Sequence, residues 1–198
     1  MKKYINCAIK ILFSMAITYA GLSKGQWKQY LYTDGISSNY IFQTHKDDQN
    51  RVWIGTQNGI TLINGLEKKK FGSEHGLPAT DITFINSIGD NIYVATSNKR
   101  IYELKDNGRF EKTNIVQGNK IHSMENINGK LFVSTNIENI MFDGNKISFM
   151  KNGFPRAEII DIFKNKKETW FVSENQLIKK KNKRFEVEDI QFSKNNVK

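Results

Sequence analysis

Four aromatic residues, Trp53, Tyr93, Phe132 and Trp170, stand 40, 39 and 38 positions apart. Each sits in an apolar stretch of the same cast: "RVWIGTQNGITLING", "NIYVATSNKRIYEL", "KLFVSTNIENIMF" and "TWFVSENQLI". A fixed period near 40 residues in a strand-rich chain signals a propeller or a solenoid, and it restricts the fold more than any bulk property. Other features keep step. A turn ("KDDQN", "GDN", "NING", "KNKK") precedes each anchor. Seven or eight residues after it comes Ile60, Ile101, Ile140 or Leu177. A second turn then leads to Phe71, Phe110, Phe149 or Phe185. Asn-Gly and Asp-Gly suit such turns because their central positions tolerate positive φ.

Each unit therefore reads as a meander of four strands, about five or six residues each. The first strands are "YIFQTH", "DITFINS", "IHSMENI" and "EIIDIFK", and the second strands carry the anchors. On the first anchor strand Val52, Ile54 and Thr56 alternate with Trp53 and Gly55, so both faces of the sheet are apolar. A sheet apolar on both faces must be covered on both. Stacked blades achieve this, and one unit alone cannot. The small residue two places after the aromatic (Gly55, Ala95, Ser134) predicts close approach by a neighbouring blade; Val172 breaks this rule in the fourth unit. No segment keeps a 3.6-residue period for three turns, which argues against a helical solenoid.

The first 25 residues differ. Lys2, Lys3 and Lys10 flank "ILFSMAITYAGL", and Ser23 and Gly25 follow. A basic head, a short apolar run and a small-residue exit describe a secretory signal peptide, with cleavage expected after Gly25. The apolar run is shorter than the roughly 20 residues a membrane span needs, so the membrane is expected to be met only through an uncleaved peptide. The single cysteine, Cys7, lies inside the peptide, which leaves the rest without disulfides. Of the +10 formal charge, four Lys belong to residues 1–25, leaving 26 basic and 20 acidic side chains, or +6. The densest basic runs, "EKKKF" and "IKKKNKRF", are expected on exposed outer strands, where lysine discourages sheet-to-sheet association. Nucleic acid is not an expected partner.

Residues 34–65, "DGISSNYIFQTHKDDQNRVWIGTQNGITLING", carry a resemblance. Gly35, Ile36, Ser37, Ser38, Trp53, Ile54, Gly55, Thr56, Gly59 and Ile60 fit the repeat of the two-component regulator propeller family. The fit is good over 33–65 and looser afterwards, with the register persisting to about 185. The resemblance implies the exported sensor region of a bacterial hybrid histidine kinase, in which paired seven-bladed propellers often sense carbohydrate-derived ligands. It also implies a periplasmic or secreted location.

The expected architecture is an all-β, partial and open β-propeller of about four four-stranded antiparallel blades after the signal peptide. Residues 1–25 are assigned to the peptide and 26–198 to the propeller, with repeats at about 33–76, 77–118, 119–154 and 155–198. "WKQYLYTDG" aligns with the outer strand and exit loop of a blade, a spare strand beyond the four units. A seven-bladed ring would need roughly 270 residues at this period. The chain is therefore expected to be an N-terminal or truncated part of a longer sensor, completed by further blades or another subunit.

Chemistry is sparse. His45, His75 and His122 lack the spacing of a metal motif, and each reads as a surface or packing residue. There is no nucleophile elbow, no phosphate loop and no histidine-kinase catalytic module. Carboxylates in turns, such as Asp47, Asp48, Asp90 and Asp143, are expected to cap backbone amides. No cofactor or metal is expected, and no enzyme activity. Binding remains. Loops joining second to third strands, and blade to blade, would gather neutral amides and hydroxyls on one rim. The candidates are Ser38, Asn39, Gln57, Asn58, His75, Thr80 and Asn98, with Ser37, Glu74, Ser97, Asn136 and Asn175 nearby. The expected function is ligand sensing; the alternatives are a secreted polysaccharide-active propeller enzyme and a structural or adhesive scaffold.

Overall fold

A computed structural model describes residues 28–189 except 80, 117–118, 151–153, 156, 165–167 and 182–183, and of Lys181 and Arg184 only the backbone. The signal peptide and its exit lie outside the described residues. The chain divides into two compact units, Met1–Tyr30 and Leu31–Lys198. In the first only residues 28–30 are described, with the Lys28 ammonium 4.9 Å from the Tyr30 ring.

Among its described residues the second unit is built from sixteen strands in four sheets. Blade 1 comprises β1 (Ile41–Lys46), β2 (Val52–Thr56), β3 (Gly59–Asn64) and β4 (Glu67–Phe71). Blade 2 holds β5 (Ile82–Ile88), β6 (Asn91–Thr96), β7 (Arg100–Leu104) and β8 (Phe110–Lys112). Blade 3 has β9 (Ile121–Ile127), β10 (Lys130–Thr135), β11 (Asn139–Phe142) and β12 (Ile147–Phe149). Blade 4 has β13 (Asp161–Lys164), β14 (Thr169–Val172), β15 (Gln176–Lys181) and β16 (Arg184–Asp189). Every sheet is an antiparallel meander in chain order. The first strands touch successively, β1 with β5, β5 with β9 and β9 with β13, and no sheet closes on itself among the described residues. This is an open row of propeller blades.

The four anchors occupy one register. Trp53 pairs with His45, Tyr93 with Asn86, Phe132 with Glu125 and Trp170 with Phe163. The hydrophobic clusters lie between blades rather than within them. Trp53, Ile60 and Phe71 of blade 1 meet Ile82, Ile85, Val94 and Phe110 of blade 2. Tyr93, Ala95 and Ile101 meet Met124, Leu131, Val133 and Ile140 of blade 3. Phe132 then meets Ile159, Phe171 and Ile178 of blade 4, with Phe154 from the connecting segment. Each ring buried this way removes roughly 150–250 Å² from water, an upper-bound gain of about 4–6 kcal/mol apiece. Gly55 makes the first approach possible: a Cβ there would stand 2.9 Å from Ile82 Cγ2 and 3.1 Å from Ile85 Cδ1.

Polar groups lock the same frame. Trp53 Nε1 donates to Asp47 Oδ2 at 2.8 Å, and Asp47 also accepts from Arg51 Nε (2.7 Å) and from the Gln49 and Arg51 amides. Asp47 and Asp143 thus cap turn amides, whereas Asp90 accepts from the Gln49 side chain at 2.6 Å. At the opposite end of the blades a hydroxyl pins every second hairpin. Thr56, Thr96, Thr135 and Ser173 donate to Gly59 O, Arg100 O, Glu138 O and Gln176 O. The threonine of "WIGT" is therefore structural.

Three expectations need correction. Among residues 28–31 no strand forms, so the spare outer strand is absent there; "YTDG" instead makes a 3-10 turn at Tyr32–Asp34. That turn does match the exit loop: Ser73–His75 is its counterpart, and each ends in a positive-φ glycine, Gly35 (91°) and Gly76 (88°). Lys179 and Lys180 sit half-buried on the third strand of blade 4, where the Lys179 ammonium caps the Trp170 ring at 4.7 Å. "EKKKF" does form an outer strand, exposed from Glu67 to Lys70. Lastly, Phe149 does not repeat Phe71 and Phe110: they are 3% exposed and it is 50% exposed.

Candidate ligand-binding site

The rim where β2–β3, β6–β7, β10–β11 and β14–β15 turn carries a cavity of about 580 Å³. Three pieces of chain build it. The β2–β3 hairpin supplies Gln57 and Asn58, held in place because Thr56 Oγ1 accepts from the Asn58 amide at 3.1 Å. The end of β4 and the turn after it supply Lys70, Phe71 and Glu74, and the segment leading to blade 2 supplies Pro78 and Asp81. The Tyr32 loop closes the side.

That loop is seated on blade 1 by its own sequence. Ser37 is buried, its amide donating to Thr61 Oγ1 at 2.8 Å and its hydroxyl to Ile60 O at 3.1 Å. Ile36, with no exposed surface, sits beside it. Asn39 Oδ1 accepts from the Tyr32 amide at 2.6 Å, and Ser38 Oγ accepts from the Tyr40 amide. The Lys70 ammonium lies 5.1 Å from the Tyr32 ring centre, leaving the ring 58% exposed at the cavity edge.

Among the sequence candidates, the structure brings Gln57 and Asn58 together in the cavity, both exposed. Ser38 and Asn39 brace the neighbouring loop. His75 packs edge-on against Phe71, ring centres 5.2 Å apart, with Nδ1 2.9 Å from Glu74 Oε1. Asn98 stands on blade 2, its Oδ1 2.6 Å from Thr96 Oγ1. Thr80 lies outside the described residues. Sequence reasoning missed Tyr32, Lys70 and Asp81. Tyr32 was legible only by aligning "YTDG" with "SEHG", and Lys70 was hidden inside a run read as an edge device.

Chemically the cavity offers two carboxamides, two carboxylates, one ammonium and one aromatic face. The Glu74 carboxyl is held below its usual value, first by its own backbone N–H and then by His75, so it stands ready as an acceptor. Mixed donors and acceptors beside an aromatic plane suit a polyhydroxylated ligand with apolar C–H faces. Among the described residues no group of three or more His, Asp or Glu gathers to hold a metal, and no helix is long and apolar enough to cross a membrane.

Fold and rim define a propeller-type repeat module. The model of the family described as Two component regulator propeller matches residues 35–58, the stretch from Gly35 through both cavity amides. Among solved structures it is similar to the extracellular domain of BT4673 from B. thetaiotaomicron, described as a hybrid two component system. The TM-score is 0.64 at 18% identity, covering 86% of this chain and 24% of that one. A second structure of BT4673, described as a one component system, gives 0.62 at 14% identity, covering 80% and 24%. The extracellular domain of the hybrid system BT3049 from the same organism gives 0.55 at 18% identity, covering 77% and 22%. The chain thus spans about a quarter of the length of the structures it matches. No curated protein matches it in sequence.

Proposed function

We propose that this chain is an exported ligand-sensing propeller module without catalytic activity of its own, and that its rim cavity takes a carbohydrate-derived ligand. One observation carries the reading: the segment matching the regulator propeller family ends on Gln57 and Asn58, which line a cavity of about 580 Å³ beside an exposed tyrosine ring. The similar solved structures are extracellular domains of two-component systems, which supports export and sensing. Tyr32 would stack on a sugar face, while Gln57, Asn58, Glu74 and Asp81 pair with hydroxyls. Capture at a blade junction biases how adjacent blades pack, and a downstream segment or partner would read that bias.

Calorimetry of the full chain against a panel of neutral, acidic and amino oligosaccharides tests this. Saturable binding is expected, weakened about tenfold by Tyr32→Ala or Asn58→Ala, with no release of reducing ends. Release of reducing ends would replace the reading with a glycan-active enzyme. Failure of every glycan to bind would favour a scaffold.

A further inference from the structure

The repeat supplies its own internal control, and blade 3 departs from it. The two prolines of the chain, Pro78 and Pro155, stand at corresponding places after blades 1 and 3. Each lines a rim cavity of the same construction: second hairpin, end of the fourth strand, connecting segment. The cavity of blade 3 measures about 470 Å³, within the roughly 300–1,000 Å³ of small-molecule sites. Its lining differs in kind. Two places beyond the pinning hydroxyl the hairpin tip is Asn58, Asn98 and Asn175 in blades 1, 2 and 4, but Ile137 in blade 3. Ile137 is 69% exposed, and Phe149, also in the lining, is 50% exposed. The hairpin does not need the Ile137 side chain for its shape, since Thr135 Oγ1 already fixes it by accepting from the Ile137 and Glu138 amides.

Among the described residues the polar lining pairs two carboxylates with the carboxamides of Asn136 and Asn139 and the Thr135 hydroxyl, and it contains no cation. Glu138 and Glu158 contribute carboxylates, and among the described residues Glu138 has no ion-pair partner. Asn139 is 91% buried; its Nδ2 donates to Ala157 O at 2.9 Å while its Oδ1 has no hydrogen-bond partner. A buried acceptor without a donor is costly. Glu158 Oε2 lies 3.1 Å from His122 Nε2, leaving its second oxygen for other contacts.

We infer that the blade 3 cavity is a second ligand site, separate from the blade 1 cavity, for a small organic amine with an aromatic or alkyl body. The body lies on Ile137 and Phe149; the ammonium faces Glu138 and Glu158. Three probes test it by calorimetry and NMR titration of the full chain: phenethylamine, 2-phenylethanol and 3-phenylpropionate. They share the ring and differ in charge. The amine is expected to bind at least about fivefold tighter than the acid, with the alcohol between. Ile137→Asn installs the residue of the other blades, so the fold persists by circular dichroism while amine affinity falls about three- to fivefold. Glu138→Gln should erase the preference for amine over alcohol, and Asn98→Ala, at the corresponding hairpin tip of blade 2, should leave amine affinity unchanged. Equal affinity for amine and acid, or amine binding untouched by Ile137→Asn, would overturn the inference. So would self-association that Ile137→Asn abolishes in a chain binding none of the three probes, since the patch would then be an interface.

Discussion

Gly55 is the sharpest test of how these blades cohere, because adding one methyl there should destabilise the protein. The alanine Cβ would lie 2.9 Å from Ile82 Cγ2, 3.1 Å from Ile85 Cδ1 and 3.2 Å from Ile82 O. Carbon atoms settle at about 3.5–4.0 Å, so blade 2 must retreat by several tenths of an ångström. Ile82 is β-branched and fully buried, with its own carbonyl among the contacts, so it cannot swing away cheaply. Overpacking of this kind costs about 1–3 kcal/mol. Gly55 does not have a positive φ, so alanine recovers about 0.4–1 kcal/mol from the unfolded chain. The net expectation is a loss of about 1–2 kcal/mol, a fall of about 2–8 °C in the unfolding midpoint for a chain of this size. Urea unfolding followed by tryptophan fluorescence measures it, and Gly55→Val should lose more. Ala95, buried at the corresponding place in blade 2, gives the opposite control: there Ala95→Gly, removing the methyl, should destabilise. A Gly55→Ala midpoint at or above the parent's would refute the close-approach argument outright.

Two further outcomes rest on the polar frame. Asp47→Ala strands the Trp53 indole N–H and frees Arg51, at an expected cost of about 1–3 kcal/mol by the same unfolding assay. Burial alone would raise the Asp47 carboxyl, but hydrogen bonds from Trp53 and Arg51 hold it below its ordinary value. Its contribution is therefore complete above about pH 4 and fades as pH falls through the lowered value, and Asp47→Ala should flatten that acid limb. Glu125 is the reverse. Burial raises its carboxyl, outweighing the Asn86 hydrogen bond and Lys164, so keeping it ionised at neutral pH costs stability. Glu125→Gln should raise the midpoint at pH 7, and the gain should vanish below about pH 4, where both folded and unfolded carboxyls are protonated. A gain that persists unchanged at pH 3 would assign the effect to packing.

Much of this fold was legible because the blade-to-blade contact repeats at nearly fixed spacing. The anchors, the alternation of Val52 and Ile54 with Trp53 and Gly55, and the turn sequences each encode a local fact, and the facts agree across four copies. What escaped notice depends on the third dimension. Tyr32 reaches the cavity because Ser37 and Ile36 fasten its loop to blade 1, a contact 24 residues away in sequence. The lysine runs looked alike, yet "EKKKF" lies on an outer strand while "IKKK" lies on a third strand and covers Trp170. His75 carried a functional residue type but spends its ring on Phe71. Composition cannot separate such cases; only the partner can.

The fourth anchor shows the same dependence from the other side. Trp53, Tyr93 and Phe132 are 1%, 0% and 0% exposed, each covered by the blade that follows. Trp170 holds the corresponding register, and no further blade follows among the described residues. It is only half-buried, stacked at 17° on Phe163, which is itself 52% exposed, and shielded by the Lys179 ammonium. The opposite face of the same strand carries Phe171, 1% exposed against blade 3. One strand thus buries the side that packs on blade 3 and leaves half open the side with no neighbour among the described residues. Burial of an anchor is a property of the pair of blades, and a tryptophan alone does not secure it.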